Sequence, residues 1–600
     1  MNRKFKSIFI MKRFLKNLLL IVLSTLLTLG LIFFIFIGII AAASDSDKDA
    51  KLNVENAILH IKLDKPLREE APKNPFEGFD FENFDFRPAL SLRQLVKTIE
   101  EAKNDENVKG IFLDLSMVQG GIASVEELRN ALQDFKSSEK FIVSYSEVYT
   151  QKSFYLASVS DEVYLNPAGM VEWRGLATQL MFFKNMLEKL DINVQIIRHG
   201  KFKSAVEPFM YDKMSDANRK QVKTYLSSIW GSMTNAIAHD RQLNVQTLNA
   251  LADSLSIRTA QDAKEYGFVT DTKYFDEIED LLAEKTETTT DKTNLLKIKE
   301  YYYYNKVKEF KEKLLMKKPK IAVVYAHGSI VSGKGEKDEL GSETISKAIK
   351  EARKDSTVKA IVLRVNSPGG SALASDVIWR EVILAKKVKP VVVSMGDVAA
   401  SGGYFISCAA NKIFANENTI TGSIGVFGVV PSFQEMLKNK VGITIDTVKT
   451  NAHADMGVLR PLTEEEKNII QSEIEHIYDE FITKVAEGRG MTKAQVDSIG
   501  QGRVWSGLDA LQIGLVDEIG DLQDAINEAV KLAGIEDYQE VAYPRKKDSP
   551  FEFMLNVETD ATAKVLQDNL GTWYSTYTSF KKLTSKKQAL AQMPYEIIIE

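Results

Sequence analysis

Two long stretches of this 600-residue chain repeat one another. Residues 108–116 (V-K-G-I-F-L-D-L-S) match residues 358–366 (V-K-A-I-V-L-R-V-N) at a spacing of 250, and the match continues without a gap to residues 161–166. A later segment, 263–271, matches residues 510–518 at a spacing of 247. Solenoid repeats have periods of only about 20 to 50 residues. The chain is therefore predicted to contain one domain twice, in tandem.

Each copy alternates short apolar runs with stretches of helical length. In the second copy, a helix is predicted at 345–355 before the apolar run 358–365, and another at 374–387 before the apolar run 390–395. Short apolar runs separated by helices are typical of parallel strands that helices cover on both faces. The sequence thus predicts an α/β fold with a mainly parallel sheet in each copy.

The predicted domain boundaries follow from these patterns. The first copy is placed at residues 45–295, a connecting helix at 296–317 and the second copy at 318–600. The polar stretch 283–294 lacks apolar periodicity, which indicates a solvated linker. The segment 297–313 is predicted to be an exposed joining helix, whose tyrosines either pack on the body or form a face for a partner.

The N-terminal residues have the pattern of a basic tip followed by a membrane anchor. Residues 1–16 hold six lysines or arginines and no acid, and residues 18–43 carry no charge. A helix of that length spans about 39 Å, whereas a cleaved signal peptide has an apolar core of only about 7 to 15 residues. The alternatives are a signal cleaved near residues 41–43 and a buried core helix. The positive-inside rule predicts a cytoplasmic tip (1–16), one transmembrane helix (17–44) and an extracytoplasmic body.

Composition and missing motifs exclude several kinds of site. The net charge is −5 although the tip is basic, so the body is acidic, which argues against nucleic acid as a partner. The single cysteine, Cys408, excludes an intrachain disulfide and any Cys-based metal cluster. The six histidines are scattered, and H-E-x-x-H, G-x-S-x-G and G-x-x-x-x-G-K-[ST] are absent. We therefore expect no metal and no organic cofactor.

Two glycine-rich segments follow strands in the second copy. R-V-N-S-P-G-G-S (364–371) leaves the backbone N–H groups of Gly369 and Gly370 free to bind a negative oxygen. D-V-A-A-S-G-G-Y (397–404) places Ser401 near a helix start, where free amides favour an oxyanion. Each segment has a structural alternative, which is close packing of small residues for A-A-S-G-G and an ordinary tight turn for S-P-G-G.

Comparison of the two copies separates these interpretations. At the 250-residue spacing, Ser401 faces Gln151, so the first copy lacks the hydroxyl. Conversely, the first copy has Lys203 within H-G-K-F-K-S-A-V-E-P-F (199–209), and the second copy has no lysine there. A serine nucleophile needs a base, and a desolvated lysine can serve. This pattern predicts one composite Ser/Lys site, although Lys203 as a solvated surface lysine, or Lys201 as the base, is equally compatible with composition.

Together, the anchor, the duplication, K-S-A-V-E-P-F, R-V-N-S-P-G-G-S, A-A-S-G-G-Y and T-G-S-I-G-V-F-G (421–428) carry a resemblance. The chain resembles the signal peptide peptidase A (protease IV) family in its long, membrane-anchored bacterial form, within the ClpP/crotonase superfamily. The resemblance implies a spiral of ββα units in each copy. It also implies that Ser401 is the nucleophile, Lys203 the general base and Ser423 the residue that orients the lysine, with Gly369, Gly370 and Gly402 in the oxyanion region.

The same resemblance implies a cofactor-free serine endopeptidase of the bacterial inner membrane. Its expected substrates are cleaved signal peptides and other apolar peptides, its body lies in the periplasm, and it assembles as a homotetramer. Two other classes of function remain open at this stage. An enzyme acting on acyl-CoA thioesters would make Ser401 and Lys203 incidental, and a non-catalytic scaffold would leave their split retention unexplained.

Overall fold

The structure is a computed structural model. It describes residues 52–70, 89–313, 318–336, 338–545 and 590–592, the pairs 79–80 and 85–86, and scattered positions between 17 and 31. The chain divides into two compact units, Met1–Val54 and Glu55–Glu600. The predicted tip (1–16) and most of the predicted anchor (17–44) lie outside the described residues. Within the part of the chain that is described, no helix has the length and apolar character needed to span a membrane.

The first copy is built around a parallel sheet in the order β10-β8-β7-β6-β1-β11. Its strands are β1 (Ala57–Lys62), β2 (Leu67–Arg68), β3 (Phe79–Asp80), β4 (Asp85–Phe86), β5 (Leu90–Ser91), β6 (Val108–Asp114), β7 (Phe141–Tyr149), β8 (Glu162–Val171), β9 (Asn193–Arg198), β10 (Asp271–Thr272) and β11 (Asn294–Lys297). Its helices are α1 (Leu92–Asn104), α2 (Ile122–Phe135), α3 (Gln151–Ala157), α4 (Lys184–Lys189), α5 (Glu207–Met210), α6 (Asp216–Arg241), α7 (Val245–Ser254), α8 (Ala260–Glu265) and α9 (Phe275–Lys285).

The second copy follows the connecting helix α10 (Ile298–Lys313) and repeats this plan. Its strands are β12 (Lys320–His327), β13 (Ser329–Val331), β14 (Glu339–Gly341), β15 (Val358–Ser367), β16 (Gly369–Ser371), β17 (Val391–Ala400), β18 (Lys412–Ala415), β19 (Ile420–Gly422), β20 (Phe427–Ser432), β21 (Val504–Ser506), β22 (Glu518–Ile519), β23 (Gln539–Tyr543) and β24 (Leu590–Gln592). Its helices are α11 (Ser342–Lys354), α12 (Ala372–Lys386), α13 (Gly402–Ser407), α14 (Gln434–Met436), α15 (Glu464–Arg489), α16 (Lys493–Ile499), α17 (Gly507–Gln512) and α18 (Leu522–Ala533). The main sheet runs β21-β19-β17-β15-β12-β23 and is parallel except for β21.

Equivalent elements occupy equivalent positions in the two copies, as the sequence repeat predicts. Helices α1 and α11 begin 250 residues apart, and α6 and α15 are both 26 residues long. Both long helices start at a hydroxyl cap, Ser215 or Thr463, whose side chain accepts a hydrogen bond from the backbone three residues on. The central strands β6 and β15 are almost wholly buried, since helices cover both sheet faces.

The junction between the copies differs from the prediction. Residues 283–294 are not simply a solvated linker, because Thr286 is buried and the stretch leads into β11, which pairs with β1. That strand ends at Lys297, two residues beyond the predicted end of the first copy. The connecting helix is also partly packed. The Tyr301 side chain is buried and its hydroxyl donates a hydrogen bond to Asp105 (2.8 Å), whereas Tyr303 is exposed.

A third sheet joins the copies, in the order β14-β13-β16-β24-β20-β9. Its last pair is antiparallel and matches β9 of the first copy with β20 of the second, from Arg198 opposite Phe427 to Asn193 opposite Ser432. The chain leaves β9 directly into the loop that carries Lys203. The sheet therefore delivers a segment of the first copy to the second copy.

A buried ion-pair cluster also holds the copies together. Arg364, which is 1% exposed, donates hydrogen bonds to Glu69 (2.9 Å) and Glu127 (2.7 Å) of the first copy. Its remaining guanidinium nitrogen donates to Ser394 (2.8 Å). Nearby, the Ser124 hydroxyl donates to Asp397, four residues before Ser401. Charges removed from water in this way require every partner to be present.

Candidate active site

Ser401 lies at the sharp turn between β17 and α13, and its side chain is fully buried. Its backbone has φ 55° and ψ −113°, a region that residues other than glycine rarely adopt and that costs about 1 to 3 kcal/mol. Its N–H donates to the Gly422 carbonyl (2.7 Å), which holds the turn in place. The hydroxyl makes no capping hydrogen bond to α13, so it is available for another partner.

That partner is the Lys203 amine, which the β9 segment brings from the first copy. Nζ lies 2.8 Å from the Ser401 Oγ, 3.0 Å from the Ser423 carbonyl oxygen and 3.1 Å from the Ser423 Oγ. Lys203 is 0% exposed. Burial without a compensating carboxylate holds the pKa of its ammonium well below the usual value of 10.5. A neutral amine beside a serine hydroxyl is a pair able to transfer a proton.

Lys201, the alternative base, lies elsewhere. Its side chain is exposed, and its Nζ sits 5.2 Å from the centre of the Phe202 ring. The loop therefore turns one lysine outward and the other inward within three residues. The structure separates two residues that composition alone left equivalent.

Ser423 occupies a second strained turn. Its φ is 51°, it is fully buried, and its N–H donates to the Arg503 carbonyl (2.6 Å). With both its carbonyl and its hydroxyl near Nζ, Ser423 defines the direction of the lysine side chain. The three residues Ser401, Lys203 and Ser423 thus meet at one point, and their catalytic roles stay a prediction.

Comparisons with known proteins identify the family of this chain. The chain matches peptidase family S49 over residues 134–289 and 383–536, and Clp protease over residues 319–421. It is 36% identical to Protease 4 of Haemophilus influenzae, covering 83% of this chain and 82% of that protein. It is 34% identical to Protease 4 of Salmonella typhi, covering 90% and 89% of the two chains. The chain belongs to peptidase family S49.

Further relatives and the family match fix the general activity. The chloroplastic serine protease SPPA of Arabidopsis thaliana is 34% identical, over 75% of this chain and 67% of that protein. This S49 peptidase is accordingly a serine protease, and its S49 domain occurs twice on an α/β, ClpP-like fold. The predicted family, duplication and enzyme class are confirmed.

The predicted oxyanion glycines of this S49 peptidase have distinct environments. Gly369 has φ 95° and its N–H donates to the Ser367 Oγ (3.2 Å), a bond that an oxyanion would have to replace. Gly370 lies opposite Ile330, and a Cβ there would come within 2.1 Å of the Ile330 carbonyl oxygen. Their strand, β16, packs against α13, which begins with Gly402. These glycines line the region beside Ser401, and their role as donors stays a prediction.

Packing also explains one glycine that the sequence left ambiguous. A Cβ at Gly403 would lie 2.6 Å from the Ser367 carbonyl oxygen, so a side chain there would push α13 off the end of β15. Close packing and chemistry are therefore not alternatives in A-A-S-G-G. The small residues bring the serine turn against the glycine-rich strand.

Sequence reasoning missed Gly502. It has φ 82°, and a Cβ on it would lie 2.6 Å from the Lys203 Cβ. Its N–H donates to the Ile424 carbonyl (2.6 Å), next to Ser423. The only signal was the pair of glycines in I-G-Q-G-R (499–503), which looks like an ordinary turn. Gly502 matters because it lies against the backbone of Lys203, which comes about 300 positions earlier in the chain.

Proposed function

We propose that this serine protease acts through a Ser401/Lys203 dyad. The observation that carries the proposal is the 2.8 Å separation of the Lys203 Nζ and the Ser401 Oγ in a fully buried setting. An amine that burial keeps neutral accepts the proton of the serine hydroxyl, and the resulting alkoxide is a strong nucleophile. Ser423 keeps the amine aimed at that hydroxyl.

The proposed reaction is an acyl transfer in two halves. The Ser401 oxygen attacks the peptide carbonyl carbon, while Lys203 takes the hydroxyl proton and then gives it to the leaving amine as the C–N bond breaks. Backbone N–H groups of Gly369, Gly370 and Gly402 stabilise the tetrahedral oxyanion. In the second half, Lys203 takes a proton from a water molecule, whose oxygen attacks the ester carbonyl carbon. The bond between that carbon and the Ser401 oxygen then breaks, Lys203 gives the proton to the Ser401 oxygen, and the new carboxylic acid leaves and ionises. No metal or organic cofactor takes part.

Covalent labelling tests this function. A fluorophosphonate probe should modify wild-type enzyme at Ser401 and leave Ser401→Ala unlabelled. The same experiment distinguishes the other classes of function, because neither an acyl-CoA enzyme in which Ser401 is incidental nor a scaffold would form that adduct. Modification at a different serine, with Ser401→Ala still labelled, would refute the assignment.

The proposed substrates are apolar peptides, among them signal peptides that remain in the membrane after cleavage. This choice follows from the predicted anchor at residues 17–44, which would hold the body at a bilayer surface on the extracytoplasmic side. The resemblance to signal peptide peptidases supports the same choice, and with it we propose a location in the bacterial inner membrane.

The anchor gives a direct expected result. In cell fractionation, the full chain should remain with the membranes and keep its N-terminal residues, since the uncharged run is too long for a signal-peptide core. N-terminal sequencing of the purified protein is the measurement. A soluble protein that begins near Ser44 would show that residues 1–43 are removed.

We further propose that the chain forms a homo-oligomer, with four copies by resemblance. In the first copy, Ala123 and Glu127 on α2 are each 1% exposed because the second copy covers that face. The equivalent residues of the second copy, Leu373 and Val377 on α12, are 62% and 43% exposed. Within one chain, the second copy packs against this face of the first copy. A neighbouring chain that packed in the same way against the second copy would cover Leu373 and Val377.

The surface of the neighbouring chain that would contact Leu373 and Val377, on its first copy, is exposed as well. Met117 and Val148 of the first copy are 66% and 43% exposed, whereas the equivalent Ser367 of the second copy is fully buried. Replacing both Leu373 and Val377 by aspartate should therefore lower the mass of the detergent-solubilised protein in analytical ultracentrifugation. Leu255→Asp with Leu532→Asp is the matched control, since those leucines are 55% and 43% exposed elsewhere. Equal masses for the two double variants would contradict this interface.

A further inference from the structure

Gln221 is a buried amide that contacts both neighbours of Lys203. It lies on α6, is 2% exposed, and its Nε2 donates to the Phe202 carbonyl (3.0 Å) and to the Ser204 Oγ (2.9 Å). The same nitrogen lies 3.1 Å from the Asn218 Oδ1. One side chain thus fixes the backbone before the lysine and the side chain after it.

The other end of the same amide contacts the second copy. The Gln221 Oε1 accepts a hydrogen bond from the Val504 N–H (3.2 Å), at the start of β21. In the antiparallel pairing of β19 and β21, Val504 lies opposite Gly422. The Gly422 carbonyl accepts the Ser401 N–H, and the carbonyl preceding Val504 accepts the Ser423 N–H. Gln221 therefore ties the lysine loop to the strand that positions both serines.

The second copy lacks this amide. Helices α6 and α15 begin 248 residues apart, which places Ile469 at the position of Gln221. Ile469 is 46% exposed. The buried amide occurs only in the copy that supplies the lysine, so the general packing of this helix does not require it.

A small cavity lies on the outer side of Gln221. Its volume is about 40 Å³, and its lining consists of Lys220, Gln221, Thr224, Arg503, Val504 and Trp505. A cavity of this size has room for a water molecule. Loss of the amide's hydrogen bonds would release the lysine loop next to this space, and a water molecule that then reached Nζ would stabilise the charged form of Lys203.

We infer that Gln221 is a positioning residue for Lys203. It clamps the lysine loop of the first copy onto β21 of the second, which keeps Nζ at hydrogen-bond distance from the Ser401 hydroxyl and shielded from water. This inference rests on the proposed roles of Lys203 and Ser401. It adds a residue that touches neither substrate nor the reacting atoms.

The test compares Gln221→Met and Gln221→Glu with the wild type. Both replacements keep the length of the side chain, and the first removes every hydrogen bond. We expect kcat, calculated per active site that reacts with a fluorophosphonate, to fall about 10- to 100-fold, because a shift of about 1 Å in a catalytic group has that effect. KM should stay within about twofold. The sites are counted with a fluorophosphonate, so loss of folded enzyme is separated from loss of rate.

The pH profile supplies the readout that a purely structural role would not change. The midpoint of the rise of kcat/KM with pH should move upward in Gln221→Met, because water reaches the amine, and further upward in Gln221→Glu, because a carboxylate favours the ammonium. Ser228→Ala is the matched control. Ser228 lies on the same helix and its Oγ contacts the Ser506 Oγ (2.8 Å) of the second copy, away from the lysine loop.

Two different failures can be told apart. The inference would be overturned, and the dyad left intact, by two results together. The midpoint of the rise of kcat/KM with pH would be unchanged in both Gln221 variants, and their activity per fluorophosphonate-reactive site would equal that of Ser228→Ala. Substantial activity in Lys203→Arg would instead overturn the dyad itself. If Gln221→Met does not fold, the midpoint of Gln221→Glu alone decides between an upward shift and no shift.

Discussion

Lys203→Arg should be as inactive as Ser401→Ala, with a loss of kcat/KM on the order of a thousandfold or more. An arginine keeps a positive charge but cannot lose its proton in any usable pH range, and a serine hydroxyl without a base is a poor nucleophile. Hydrolysis of one short apolar peptide or ester by the wild type and by these two variants is the measurement. Lys201→Arg serves as the control, since that side chain is exposed and should change little.

The pH dependence of the wild type follows from the same site. Burial lowers the pKa of Lys203 from 10.5, so the fraction of enzyme with a neutral amine grows as pH rises through that lowered pKa. The value of kcat/KM should therefore increase with pH and level off well below pH 10.5. A rate that still climbs steeply near the ordinary pKa of lysine, or a loss confined to Lys201→Arg, would count against Lys203 as the base.

Arg364→Ala should destabilise the protein by about 3 to 5 kcal/mol. It would leave the Glu69 and Glu127 carboxylates, 8% and 1% exposed, buried without their cation. Guanidinium unfolding followed by circular dichroism measures the change. The control is Arg545→Ala. Arg545 forms an ion pair with Asp355, and the two side chains are 55% and 24% exposed. This exposed pair should contribute at most about 1 kcal/mol to the free energy of unfolding.

A third variant separates charge from packing at the same place. Replacing Arg364, Glu69 and Glu127 together by methionine or leucine should recover most of the lost stability, because no unpaired charge remains in the interior. If Arg364→Ala costs no more than Arg545→Ala, the cluster does not hold the copies together. If the triple variant is as unstable as Arg364→Ala, the loss arises from packing and not from the orphaned carboxylates.

Much of the fold was predictable because duplication leaves a direct record in the sequence. The 250-residue spacing and the alternation of apolar runs with helices predicted two parallel α/β copies, and family S49 matches twice. The pairing of β9 with β20 was not predictable. Its strands belong to different copies, and an antiparallel pair of that kind leaves no periodicity in either segment. Residues 283–294 are mostly exposed or half-buried, but their polar composition did not predict that they lead into the edge strand β11.

The candidate site also combines features that the sequence predicted with features that it did not. Retention of Ser401 in one copy and Lys203 in the other pointed to a shared site, and the structure places the Lys203 Nζ 2.8 Å from the Ser401 Oγ. Gly502 and Gln221 left no comparable signal. Gly502 matters because a Cβ on it would collide with the Lys203 backbone. Gln221 matters because its amide bridges segments about 280 residues apart. Such roles exist only after the chain has folded.

Delivery of the lysine by β9 has a consequence for the timing of activity. The proposed base and the proposed nucleophile are separated by 198 residues, so a ribosome adding roughly 5 to 20 residues per second completes the first roughly 10 to 40 s before the second. During that interval the emerging chain carries an amine with no serine beside it. A translation product that stops before residue 401 contains Lys203 but lacks Ser401, so it cannot form the proposed dyad. The proposed dyad can therefore form only after synthesis has passed Ser401 and β20 of the second copy has paired with β9 of the first.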